Sequence, residues 1–191
     1  MTARTHDAFA LASLISVAAF FPPASLNLTT LIVSVIGAHI GGLIPDMDQA
    51  GNRLWDMFPS GNSLGRIFRR IFYKHRTISH SLIGVFIFYK FLEFVVTRLI
   101  NTSFIDPKLL IAGIIIGYLS HLLADSFTEE GLPLLFPLRI AFGIPPIKKI
   151  RIKTGQWFEN LVIYPAIWIY LFSLIQNKKE VLLEILKMVK S

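Results

Sequence analysis

From Leu26 to Ile44 the chain runs for 19 residues with one ionisable side chain, His39. Inside a bilayer, no water is available to pair with backbone amides. A segment this long and apolar therefore has to satisfy them internally, and a single chain does so as a helix. Four more apolar blocks follow the same logic: Ala8 to Phe21, Ile78 to Val96, Leu109 to Ala124 and Leu161 to Ile175. The first has only 14 residues, against the roughly 20 that a spanning helix needs. It reads as a tilted, thin-spanning or re-entrant segment. The expected fold is all-α: one integral membrane domain over residues 1–191, with about four or five transmembrane helices.

Charge is scarce, at 16% of residues, and unevenly placed. Arg53, Arg66, Arg69, Arg70, Lys74 and Arg76 fall in the connection from Pro45 to Thr77. Arg139, Lys148, Lys149, Arg151 and Lys153 fall between Asp125 and Asn160. The alternate connections, Pro22 to Ser25 and Thr97 to Lys108, carry only Arg98 and Lys108 as positive charges. The positive-inside rule places the two basic loops in the cytoplasm. The formal net charge of +7 then reflects topology and anionic lipid, not nucleic acid. Pro22-Pro23 stands where a signal peptide would need small residues, so the first block reads as a retained helix.

Two amphipathic segments are expected beside the spans. In residues 62–74, Leu64, Ile67, Phe68, Ile71 and Phe72 recur at helical spacing with arginines on the other faces, the pattern of an interfacial helix. In residues 177–191, Val181, Leu182, Ile185, Leu186 and Val189 form a stripe, and Asn177 and Glu180 fit a capping-box start.

Ionisable residues at spans are costly and call for a functional explanation. Here they gather at one end. His6 and Asp7 open the first block. Asp46 and Asp48 end the second. His75 and His80 open the third, His121 and Asp125 end the fourth, and Glu159 opens the fifth. Alternating span direction brings all of them to the cytoplasmic end of the bundle. His121 and Asp125 are four apart and share a helix face, a spacing that can chelate one ion. Pro45 favours an end to the regular second helix, which frees the aspartates to turn inward. His75 and His80 lie about 140° apart on a helix. His75 is therefore expected before the helix, with Thr77 or Ser79 as cap and His80 in the first turn. His39, among Gly37, Gly41 and Gly42, reads as a satisfied interior histidine more readily than as a ligand. With no cysteine in the chain, any metal must be held by His, Asp or Glu.

These residues carry a resemblance. "TH" at Thr5-His6, "GGLIPDMD" at Gly41–Asp48, "HRTISHSL" at His75–Leu82, "SHLLADSFTEEGLPLLFPL" at Ser120–Leu138 and "TGQWFE" at Thr154–Glu159 resemble the membrane-bound metal-dependent hydrolases of the YdjM/YbcI type. The resemblance spans most of the chain. It implies a helical membrane protein with a metal site and hydrolase activity, with His6, Asp46, Asp48, His75, His80, His121 and Asp125 as ligands and Glu159 as a weaker addition.

The expected function is metal-dependent hydrolysis at the cytoplasmic face. Imidazoles with carboxylates suit zinc first, then manganese or iron, as one or two ions. Asp48 or Glu159 is a candidate proton acceptor, and Arg76 a candidate contact for a substrate phosphate or carboxylate. A site at the interface favours an amphiphilic substrate, a lipid or lipid-phosphate ester. A transporter or metal sensor is the alternative, but it needs polar residues right through the bilayer. Apart from Lys90 and Glu93, the outer halves of the spans are apolar. A scaffold whose metal only ties helix ends is the third possibility.

Overall fold

The computed structural model describes residues 1–47, 55, 78–138 and 140–189. The interfacial helix expected over residues 62–74, together with Asp48, His75 and Arg76, lies outside the described residues. Among those residues every regular element is helical: α1 (Ala3–Phe20), α2 (Leu28–Leu43), α3 (Leu82–Leu99), α4 (Pro107–Ser126), α5 (Tyr164–Asn177) and α6 (Lys179–Met188). Short 3₁₀ turns sit at Ile44–Asp46, Ile78–His80 and Lys148–Ile150, and a π-turn at Glu159–Ile163 leads into α5.

Among the described residues, three segments are long and apolar enough to cross a membrane: Leu28–Asp46, Pro107–Ser126 and Glu159–Asn177. The all-α membrane architecture is as expected. The helices α1, whose first turns carry Arg4, His6 and Asp7, and α3, which holds Lys90, Glu93 and Arg98, are more polar. Both still pack into the bundle. Ala8 and Ala12 of α1 meet Ile167 of α5, and Leu92 and Val96 of α3 meet Leu110 of α4.

The densest packing is α2 against α4, and glycine makes it possible. Gly37 and Gly41 form one small-xxx-small step on α2, and Gly113 and Gly117 form another on α4. A Cβ on Gly41 would overlap the Ile114 carbonyl, and one on Gly117 would overlap the Ala38 carbonyl. At Gly113 it would stand 2.7 Å from the Ser34 carbonyl oxygen. The two backbones are thus in contact, which is how membrane helices associate without a hydrophobic driving force between them.

Capping decides where the helices start. Asn27 accepts from the Thr30 amide at 2.7 Å and opens α2, and Asp106 accepts from the Lys108 amide at 2.8 Å and opens α4. The third apolar block starts later than expected. Ser81, and not Ser79, caps α3, and Thr77 lies outside the described residues: the Ser81 Oγ accepts from the Gly84 amide at 3.1 Å and donates to the Ile78 carbonyl at 2.8 Å. His80 consequently sits in the 3₁₀ turn before α3 and not in the first turn of the helix. Tyr118 of α4 donates its hydroxyl to the Ser79 carbonyl and pins that turn. The tail also differs. The helix of α5 continues through Asn177, whose Nδ2 donates to Ser173 Oγ at 3.3 Å. A cap needs non-helical backbone, so the expected capping box is not formed. The amphipathic tail helix begins at Lys179.

The crossing makes a paired prediction. Gly117→Ala drives a methyl into the Ala38 carbonyl and should cost about 1–3 kcal/mol through overpacking. Gly42→Ala meets the Ala10 Cβ at 3.4 Å, an ordinary contact, and should change stability by less than about 0.5 kcal/mol. Thermal unfolding of the two purified variants in detergent compares them directly.

Candidate metal centre

The side chains at the site come from four different elements. His6 comes from the first turns of α1, and Asp46 from the 3₁₀ turn that ends α2. Pro45 stands in that turn and stops α2 at Leu43, as its ring predicts. His80 comes from the turn before α3, and His121 and Asp125 from the last turns of α4. His6, His80, His121 and Asp125 are all buried, and Asp46 is partly so.

Four donor atoms follow one another round a closed ring. Asp46 Oδ1 lies 3.5 Å from His80 Nε2, which lies 3.9 Å from Asp125 Oδ2. Asp125 Oδ2 lies 3.7 Å from His121 Nε2, which returns to Asp46 Oδ1 at 3.6 Å. A tetrahedral zinc site with bonds of about 2.0–2.1 Å spaces its donors about 3.3–3.4 Å apart, and each of these four neighbouring separations exceeds that by no more than roughly half an ångström.

The histidine tautomers suit the same purpose. His121 Nδ1 lies 2.7 Å from the Gly42 carbonyl oxygen, an acceptor only, so that nitrogen carries the proton and donates. Nε2 is left with its lone pair directed at the ring. It is buried and has no hydrogen-bond partner among the described residues. A buried polar atom left so costs about 1–3 kcal/mol, and a cation at the ring would relieve that cost. His80 is held in a similar way, with Nδ1 3.1 Å from Ser79 Oγ and Nε2 facing the two aspartates. Orienting contacts of this kind are what fix metal-bound imidazoles. The donor set and its lone pairs fit a divalent ion.

His6 takes a flanking position. Its ring stacks on His121 with centroids 3.7 Å apart and planes 6° from parallel, and its Nε2 is 3.2 Å from Asp125 Oδ1. The Met1 amino group contacts that same carboxylate oxygen. The groups His6–His121–Asp125 and Asp46–His80–His121 both have donors within 4.8 Å of one another. They share His121, which has one nitrogen to give. They therefore overlap as one centre, with Asp125 turning Oδ2 to the ring and Oδ1 to His6.

Two other residues read from the sequence stand apart. Glu159 is fully buried, and both its oxygens are engaged. Oε1 accepts from the Thr2 amide at 2.6 Å and Thr2 Oγ1 at 2.8 Å, and Oε2 accepts from the Gly155 amide at 2.8 Å. It braces the start of α1 against the approach to α5. Gly155 sits there at φ 75°, a conformation only glycine adopts cheaply. His39 pairs with Asp7 at 3.3 Å on a half-exposed face and is not among the ring donors. The sequence reading missed Ser79 and Gly42 as orienting partners. One signal was available for Gly42: a second glycine step, Gly113-xxx-Gly117, just upstream of His121.

The chain matches the family model described as YdjM inner membrane protein over residues 1–189. It is 31% identical over 163 residues to the uncharacterized protein YvsG of Bacillus subtilis, covering 85% of this chain and 88% of that one. It is 36% identical over 108 residues to the inner membrane protein YdjM of Escherichia coli, covering 54% of this chain and 48% of that protein. That match spans about half the length of the Escherichia coli protein. No solved structure matches this chain.

Ser79→Ala removes the partner of His80 Nδ1 while keeping every ring donor. Loss of such an orienting bond should weaken divalent-metal affinity about 10–100-fold, read by competition with a metal chelator. Glu159→Ala strips the brace and should cost about 1–3 kcal/mol per donor left unpaired. It should leave the metal stoichiometry of the purified protein unchanged.

Proposed function

The chain belongs to the YdjM inner membrane protein family, and from that premise and the ring's geometry we propose that it is a metal-dependent hydrolase acting at the membrane surface. The observation that carries the reading is the closed ring of Asp46, His80, His121 and Asp125, with the His121 lone pair set inward by the Gly42 carbonyl. A divalent ion held there, zinc before manganese or iron, supplies the Lewis acidity that activates water near neutral pH.

The chain's own residues do the rest. The parallel His6 ring keeps the plane of His121 in register, and Asp125 presents one oxygen to the ring and the other to His6. The Glu159 oxygens are engaged by Thr2 and Gly155, so Asp48, two residues beyond the ring ligand Asp46, is the better candidate to accept a proton. Arg76 is the candidate to hold a phosphate or carboxylate of the substrate. Both follow from their place in the sequence. The ring lies at the ends of apolar segments, and this favours an amphiphilic substrate, a lipid or lipid-phosphate ester. The basic connections flanking it support a cytoplasmic side by the positive-inside rule.

A scaffold in which the ion only ties helix ends is the competing reading. It is favoured by one observation: the ring joins residues from the turn after α2, from α4 and from the turn before α3. Metal content and activity separate the two. Protein purified without chelator should carry about one ion per chain by elemental analysis, as four ring donors require. His80→Ala, His121→Ala and Asp125→Asn should each lose it. The metal-loaded protein should hydrolyse members of a phospholipid and polyprenyl-phosphate ester panel, and these variants should lose at least about 100-fold in rate, given what metal activation contributes. Native protein without metal would end the proposal. Metal without hydrolysis across the panel would leave the scaffold.

A further inference from the structure

The segment between α4 and α5 has the wrong surface for an aqueous loop. It is irregular, held by isolated backbone pairings of Thr128 with Ile152 and Leu132 with Phe142. Yet Leu138, Ile140, Ile144, Ile147, Ile150 and Trp157 are all 52–66% exposed. Exposed apolar surface this continuous in sequence marks an interaction site. Lys148, Lys149 and Lys153 are interleaved with it.

A second, independent observation says which partner. Arg151 does not reach outward as a topology charge would. Its guanidinium turns back into the segment, donating from Nε to the Pro145 carbonyl at 2.7 Å, and from Nη2 to the Gly143 carbonyl at 3.2 Å and the Pro146 carbonyl at 3.0 Å. In water those carbonyls need no such service. At membrane depth, irregular backbone persists only where its polar groups are satisfied within the protein. The segment is also continuous with lipid-facing elements, since it leaves one spanning segment at Ser126 and enters another at Glu159.

We propose that residues 135–138 and 140–158 belong to a membrane-embedded wedge, seated at the headgroup–acyl boundary of an anionic leaflet, with its backbone carbonyls satisfied internally by Arg151. The isoleucines enter the acyl region, the lysines meet lipid phosphates, and Trp157 sits at interfacial level, where its amphipathic ring is favoured. Leu132 and Leu134 anchor the wedge to the bundle. Leu132 packs with Leu43, Tyr118 and Leu122, and the Leu134 carbonyl accepts from the Leu82 amide at 3.0 Å. The wedge therefore lies beside the metal centre, and the proposal does not depend on that centre binding a metal.

The absence of cysteine permits a direct test. Ile147→Cys and Ile150→Cys, each spin-labelled and reconstituted in vesicles of phosphatidylethanolamine and phosphatidylglycerol, report depth through collision with oxygen against a water-soluble paramagnetic chelate. Both labels should be several-fold more accessible to oxygen than to the chelate. In a protein keeping Trp157 alone (Trp55→Phe, Trp168→Phe), phospholipids brominated near the top of the acyl chain should quench fluorescence more than aqueous iodide does. Adding Arg151→Met should raise iodide quenching at least twofold as the segment loosens. Labels open to the chelate, with Trp157 quenched by iodide and not by bromolipid, would overturn the proposal and leave the surface for a soluble protein partner.

Discussion

The candidate metal centre depends on the direct contact of two helix backbones. Gly41 and Gly117 remove the side chains that would hold α2 and α4 apart, until each glycine faces a carbonyl of the other helix. One turn beyond Gly117, His121 finds the Gly42 carbonyl within hydrogen-bond reach. Helices separated by an ordinary side-chain layer, about 8–10 Å between axes, would leave that bond unmade. The tautomer of His121, and so the direction of its lone pair, follows from a packing decision made four residues earlier.

Burial at the ring is tolerable because the polar groups answer one another at the ends of apolar segments and not at their middle. An isolated charge in hydrocarbon is costly, and ionisable residues in such segments persist where they pair or serve a function. Asp125 shows the economy of the arrangement. One carboxylate closes the ring through Oδ2 and holds the His6 side through Oδ1. Glu159 solves a different problem with the same chemistry. It takes up the amides that the start of α1 and the turn at Gly155 would otherwise leave unpaired.

Much of this was readable in advance, for identifiable reasons. Apolar runs of span length admit little besides helices, so the all-α architecture followed from Leu26–Ile44 and Leu109–Ala124. The pairing of His121 with Asp125 needed only the four-residue helical repeat. Their meeting with His6, Asp46 and His80 needed only alternating helix direction. What escaped notice involved competition between near-equal local choices. Thr77, Ser79 and Ser81 are all competent caps. Tyr118, reaching across from α4 to the Ser79 carbonyl, accompanies the choice of Ser81 and leaves His80 in a 3₁₀ turn. Asn177 reads as a cap but is absorbed into α5. Arg151 reads as a topology charge but turns inward to three carbonyls.

The chain alone therefore settles which residues are buried in helices and which polar groups are forced to one end, because lipid imposes a single backbone solution and a 3.6-residue period. It does not settle the distances among those groups. Whether His121 points its Nε2 at Asp46, whether Glu159 joins the ring or braces α1, and how His6 shares Asp125 are set by contacts across 75 to 157 residues of sequence, from Asp46 with His121 to Thr2 with Glu159. Such contacts depend on how closely particular helices approach. That closeness is a property of paired surfaces, here two glycine steps meeting face to face, and no single stretch of sequence contains both.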